Sequence, residues 1–255
     1  MSDLEKQDDT GGYIAAGYFL SRVGAAPDCT GTELRPISLA RDHSVRRFFP
    51  DAWALSWCNT SPEERREHAA VFGIPEEELP ALMKWADAAM DREFGVWNTV
   101  FTLESARAVG RRWLSRVPDV ELWGLGLKSE LVAEYCRLTQ PPPQEPGFAP
   151  VGAGGTHEAV CLRRQALARG GVVLGHEILK EDWGNSFNSP ESLHLDEQEL
   201  FEGSGVVLNQ AGLIDSFELA LECSRKLDAT WEKEPSERTG WLPWLLVQYP
   251  TGLEV

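Results

Sequence analysis

Apolar residues recur along the chain with two different periods. Over 13–20 (YIAAGYFL) they are almost continuous and rich in aromatics, which predicts a strand buried on both faces. Residues 24–47 are polar and broken by glycine and proline. Residues 52–57 (AWALSW) then alternate large and small, placing Trp53, Leu55 and Trp57 on one face of a second strand. From there the period lengthens to that of a helix. Ser61-Pro62-Glu63-Glu64 is a capping box with proline at the first helical position, where its missing N–H costs nothing, and Gly73 suits the left-handed residue that ends the turn. Leu79, Leu82, Met83, Ala86, Met90 and Phe94 predict the next helix, with Pro80 in its first turn. Leu103, Ala106, Gly110, Trp113, Leu114 and Val117 predict another, capped by Thr102.

Residues 120–127 (VELWGLGL) read as a strand with Gly124 and Gly126 on one face, followed by a short helix over 131–138. Five prolines and four glycines then fall within 139–155, so neither a helix nor a central strand can run through that stretch. Beyond it the pattern predicts a helix over 158–168, a strand over 171–179 and an acidic segment over 190–202. The last helix opens at Asp215-Ser216-Phe217-Glu218, a second capping box, and carries the stripe Phe217, Ala220, Leu221, Ser224, Leu227 and Trp231. Residues 241–249 (WLPWLLVQY) close the chain as a strand, with Pro243 pushing its start toward a sheet edge. No internal repeat is visible. Mixed strands and helices predict an α+β fold: a largely antiparallel sheet with flanking helices. Its parts are an N-terminal lobe over 1–138, a Pro/Gly-rich linker over 139–156 and an acidic C-terminal lobe over 157–255, or these together form one continuous domain.

Charge narrows the partners. The 255 residues hold 40 acidic and 24 basic side chains, a net charge of −16. Residues 177–238 alone carry 15 acidic and 5 basic groups, a net of −10. Nucleic acid is repelled by such a surface, since its affinity rests on neutralising phosphates with Lys and Arg. A basic protein partner is attracted and steered. No apolar run approaches the roughly 18 residues a membrane span needs, and the polar, acidic start does not have the pattern of a secretory signal, so a cytoplasmic location and no membrane contact are expected. Five scattered cysteines without a C-x-x-C pair suit a reducing compartment and buried free thiols.

Catalytic signatures are sparse. His157 and Cys161 have a workable i, i+4 ligand spacing, but no second ligand pair accompanies them. His176-Glu177 begins like a zincin helix, yet position 180 is lysine and the segment reads as strand. The run Gly152-Ala153-Gly154-Gly155 has no following Lys-Ser/Thr, and no serine sits in a G-x-S-x-G elbow. No metal, cofactor or catalytic residue is therefore assigned. The enzyme reading kept beside this is a hydrolase-like site, either a carboxylate drawn from groups such as Glu177, Glu181 and Asp182 or a Cys–His pair, assembled between the two halves.

The loop over 181–189 (EDWGNSFNS) carries Trp183 and Phe187 among small polar residues directly after a strand, as binding anchors often are. The expected partner contacts are Glu181, Asp182, Trp183, Asn185 and Phe187, with Glu197, Glu199 and Glu202 as supporting charge.

Two blocks carry a family resemblance. One runs from Gly17-Tyr-Phe-Leu-Ser21 through Trp53-Ala-Leu-Ser-Trp57 to Trp123-Gly-Leu-Gly-Leu127. The other joins Leu174-Gly-His-Glu-Ile-Leu179, Ser186-Phe-Asn-Ser189 and Leu208-Asn-Gln-Ala-Gly-Leu-Ile-Asp215. They resemble small bacterial cytosolic proteins with an "LG-aromatic-E" strand, an "SFHS" loop and an "LN-x-x-GL" turn, some of them similar to immunity proteins that neutralise a toxin delivered between neighbouring cells. His176 stands where that pattern has an aromatic, and Asn188 where it has histidine. The resemblance implies shared architecture and an inhibitory, protein-binding role.

Overall fold

The computed structural model describes residues 10–23, 45–47, 74–89, 92, 100–116, 120–139, 155–181, 187–188, 205–209, 211–230 and 240–252. Its strands are β1 (Tyr13–Val23), β2 (Val45–Arg47), β3 (Val120–Lys128), β4 (Val172–Glu181), β5 (Phe187–Asn188) and β6 (Leu242–Tyr249). They form one antiparallel sheet in the order β2-β1-β3-β6-β4-β5. The helices are α1 (Leu79–Ala89), α2 (Leu103–Trp113), α3 (Val132–Leu138), α4 (Gly155–His157, continuing as the π-helical Glu158–Arg163) and α5 (Phe217–Thr230). The fold is α+β. Strands from both sides of the Pro/Gly-rich stretch share the sheet, because β3 pairs directly with β6.

Periodicity placed most of these elements. Thr102 caps α2 by accepting the Ser105 N–H at 3.0 Å, and Ala106, Val109 and Gly110 turn inward. Trp85 of α1 lies against Trp113 of α2 with ring centres 6.4 Å apart. Three expectations need correction. The helix predicted over 158–168 stops at Arg163, because Arg164 takes a left-handed φ of 50° and the chain turns extended. The cap of α5 is the Ser216 hydroxyl, which accepts the Leu219 N–H, rather than Asp215. Pro243 does not make β6 an edge strand. It pairs in register with Ile178 only, and the ladder to β3 begins one residue later at Trp244, so the missing N–H falls at the strand's start. The predicted strand over 52–57, the helix over 61–73 and the segment over 190–202 lie outside the described residues.

The strand order reads the same from either end, and the register follows it. Leu125 and Leu246 face each other at the sheet's centre. Leu125 pairs outward with Gly17 and Leu246 with Gly175, each glycine just after a one-residue bulge. Five residues before those glycines stand Gly12 and Gly170, with φ of 83° and 84°. The residues after them, Tyr18 and His176, bridge to Val100 and Ile214, each two positions ahead of the cap of its helix. Trp123 and Trp244 are buried at matching places in β3 and β6. The described strands thus follow the same plan twice, on either side of the Leu125–Leu246 pair.

Gly124 and Gly126 make room on one face. A Cβ at Gly124 would lie 2.6 Å from the Tyr249 ring, and one at Gly126 would lie 2.7 Å from Leu167. On that face Tyr13, Tyr18, Leu122, Leu245, Val247 and Tyr249 form a core with α1 and α2. Phe19, Trp123, Leu125, Leu127, Trp244 and Leu246 form another with Tyr135 of α3 and Val160 of α4. The side chain of α5 residue Ala220 packs with Ile178, Ile214 and Trp241.

Candidate partner-binding edge and its buried support

Strand β4 carries three buried polar residues, His176, Glu177 and Lys180. At the matching places in β1, Tyr18 and Phe19 occupy the first two positions. This is where the two halves diverge most in chemistry.

His176 is held at both nitrogens. Its Nδ1 lies 3.1 Å from the Ile214 carbonyl, which can only accept, so Nδ1 carries the proton. Nε2 is then an acceptor, and the Tyr13 O–H donates to it at 2.8 Å. Burial pushes the imidazole's pKa down, and the nearby Lys128 charge adds to this; the Ile214 hydrogen bond and the Glu218 charge oppose it. His176 is therefore a neutral ring that pins the start of α5 to the sheet. Lys128 places its Nζ 4.6 Å from the Tyr13 ring centre and 5.3 Å from that of Phe217. Glu218, fully exposed, is held below the usual carboxylate range by its own backbone N–H and by the Ser216 hydroxyl, which donates to it at 2.9 Å.

Asn209 organises the turn beneath. Its amide donates to the Leu174 carbonyl at 2.7 Å and to the Asp215 carboxylate at 2.8 Å, while its side-chain oxygen accepts the Ala211 and Leu213 N–H groups. Leu174 is the bulge residue of β4. Gly175 beside it has a φ of 136°, and a Cβ there would meet Leu213 Cβ at 2.8 Å and the Ile214 carbonyl at 3.1 Å. The Leu174-Gly175 and Asn209…Leu213 motifs are therefore two halves of one packed unit.

The unit supports the β4–β5 hairpin, whose short strand closes that end of the sheet. Register pairs Lys180 with Asn188 and Glu181 with Phe187. Two of the expected contact residues, Glu181 and Phe187, are thus brought opposite each other. Asp182, Trp183 and Asn185, in the connection between them, and Glu197, Glu199 and Glu202 lie outside the described residues. Tyr13 went unnoticed in the sequence as a functional position, and nothing in its surroundings there points 163 residues along the chain to His176.

Cysteine chemistry differs from expectation. Cys136 and Cys161 form a disulfide that joins α3 to α4, while Cys223 is buried in α5 and remains a thiol. Parity of the cysteine count leaves one thiol over but says nothing of which sulfurs meet in space. His157, the other half of the suspected ligand pair, has its Nδ1 2.7 Å from the Thr139 hydroxyl, and burial lowers its pKa. Among the described residues no group of three or more His, Cys, Asp or Glu side chains could hold a metal ion. No helix among them is long and apolar enough to cross a membrane.

Comparison with protein-family models, with curated proteins and with solved structures finds no match to this chain.

Proposed function

We propose that the protein is an inhibitor that binds a basic protein, in the manner of a bacterial cytoplasmic immunity protein covering a toxin domain. The observation that carries this reading is the β4–β5 hairpin, which sets Glu181 opposite Phe187 within the segment richest in negative charge. An acidic and an aromatic residue paired in register at the end of a sheet suit a basic partner. Asp182, Trp183 and Asn185, which follow Glu181 in the sequence, are the further contacts this reading assigns. Glu197, Glu199 and Glu202 add long-range attraction, which speeds encounter with a cationic partner and weakens as salt is added.

The test is co-purification from source lysate at low and high salt, followed by titration of the identified partner against the wild-type chain and the Glu181→Ala/Trp183→Ala double variant. The expected result is a basic partner held more tightly at low salt, with the double variant weakened by at least a hundredfold. Unchanged affinity in the double variant sinks this placement of the contact surface.

A further inference from the structure

We propose that the Cys136–Cys161 disulfide is a reversible redox clasp that fixes or frees a strap formed by residues 155–168. This proposal stands apart from the partner-binding reading and would survive its failure.

The strap links the two repeats and passes from one face of the sheet to the other. It starts as α4, with Val160 buried among Leu125, Leu127 and Leu246. At Arg164 the backbone turns, and the chain then runs beside the start of β1. There the Ala15 N–H donates to the Gln165 carbonyl at 2.8 Å, and the Leu167 N–H donates to the Tyr13 carbonyl at 2.9 Å. It ends against the opposite core, where the Ala168 N–H donates to the Tyr18 hydroxyl at 3.0 Å and the Tyr249 hydroxyl donates to the Ala168 carbonyl at 2.6 Å. The far end is therefore anchored by hydrogen bonds, and the near end by the burial of Val160, by Arg163 over the Phe101 ring at 3.8 Å and by α3.

Three features make that near end a plausible place for control. Its helix is π-helical over Glu158–Arg163, a rare conformation that is frequent at functional sites. It meets α3 through the disulfide, through the Thr139–His157 hydrogen bond, through the tilted contact of Tyr135 with the His157 ring, whose centres are 6.4 Å apart, and through a core that Val160 shares with Val132 and Tyr135. Both cysteines are only partly buried, whereas Cys223 is wholly enclosed. The strap also touches the β4 support, because the Tyr13 residue that accepts from Leu167 through its carbonyl donates from its hydroxyl to His176.

Opening the clasp is a two-electron reduction by a low-molecular-weight thiol. A thiolate attacks one sulfur of the Cys136–Cys161 bond and forms a mixed disulfide, and the other cysteine leaves as a thiolate. A second thiolate then attacks the mixed disulfide. Two protons complete the two cysteine thiols, and the reductant leaves as its own disulfide. Oxidised glutathione reverses the sequence.

The test uses the full chain equilibrated in oxidised glutathione or in dithiothreitol, with site-resolved alkylation of each cysteine and amide hydrogen exchange followed by mass spectrometry. Expected are alkylation of Cys136 and Cys161 only after reduction, and exchange in 155–163 at least tenfold faster in the reduced protein while α2 and α5 are unchanged. Cys161→Ser should behave like the reduced protein in either buffer, with its melting transition kept. Cys136 and Cys161 alkylated equally in both buffers, or identical exchange in both states, overturns the proposal. Loss of protection throughout the chain on reduction also overturns it, since the bond would then be a structural staple.

Discussion

The two repeats share a frame and differ in what fills it. In both, a bulged strand with a glycine after the bulge flanks a central strand, and a bridge from the next residue leads to a Ser/Thr-capped helix. In the first repeat the residue after the glycine is Tyr18, whose hydroxyl accepts the Ala168 N–H and whose pKa burial pushes up. In the second it is His176, locked between Tyr13 and Ile214. The backbone geometry is therefore what the two repeats share, and the side chain at that position is where their chemistry differs. Only the second repeat places buried His, Glu and Lys on that strand, next to the most acidic stretch of the chain.

The severest test of the shared frame is at its glycines. Gly175→Ala forces an L side chain into a φ of 136° and drives its Cβ against Leu213 and the Ile214 carbonyl. An expected loss of about 2–4 kcal/mol of stability, read from urea denaturation, follows from such incompatible backbone and crowding. Gly17→Ala meets a φ of 151° and should also destabilise the fold. A neutral Gly17→Ala beside a damaging Gly175→Ala would show that the two bulges are not equivalent.

Much of this frame was legible and its doubling was not. Strands over 13–20, 120–127 and 171–179, the helix after Thr102 and the helix carrying Phe217, Ala220 and Leu227 came from period and caps, which are local signals, although the last cap falls one residue later than the sequence suggests. The repeat is hidden because 83 residues separate Gly17 from Val100 whereas 39 separate Gly175 from Ile214. A fixed sequence offset therefore cannot align the two halves. Few side chains survive between them, chiefly the glycines, the two caps and Trp123 with Trp244. The hairpin residues Glu181 and Phe187 were legible as a loop of unusual composition, but their pairing is set by register. Cys136–Cys161 and Tyr13–His176 join residues far apart along the chain, which no local pattern encodes.

A middle-sized effect separates the repeats by pH. The folded-state pKa of His176 is lowered by burial, so the unfolded chain binds more protons as pH falls through the ordinary imidazole value of about 6.5. The stability that neutral His176 contributes is complete above that value and is lost as pH drops below it. Tyr18, in the same place in the first repeat, stays neutral across this range. Urea midpoints from pH 8 to pH 5 should therefore fall, and His176→Phe should flatten the slope. His157, also lowered by burial, leaves a residual slope in that variant. An unaltered pH profile in His176→Phe would remove His176 from the account. If the profile does flatten, hydrogen exchange at pH 5 should rise first in α5 and later in α2.

The smallest effect lies at the helix caps and sharpens the comparison most finely. Thr102 accepts the Ser105 N–H at 3.0 Å, and its own hydroxyl donates to Ser105 Oγ at 2.9 Å. Ser216 accepts the Leu219 N–H at 3.3 Å and donates to Glu218. Losing either hydroxyl leaves one backbone N–H at a helix start without its acceptor, a cost of about 1 kcal/mol for Ser/Thr→Ala at such positions. The shorter bond makes Thr102→Ala the larger loss of the pair. Ser216→Ala differs in a second respect, because it also removes the hydrogen bond that helps hold the Glu218 carboxyl below its usual pKa. Its stability penalty should therefore shrink as acid protonates Glu218, whereas the Thr102→Ala penalty should not change with pH. Equal penalties with the same pH response at both sites would mean that the Ser216–Glu218 contact contributes nothing, and that the two caps, unlike the strands they follow, never diverged.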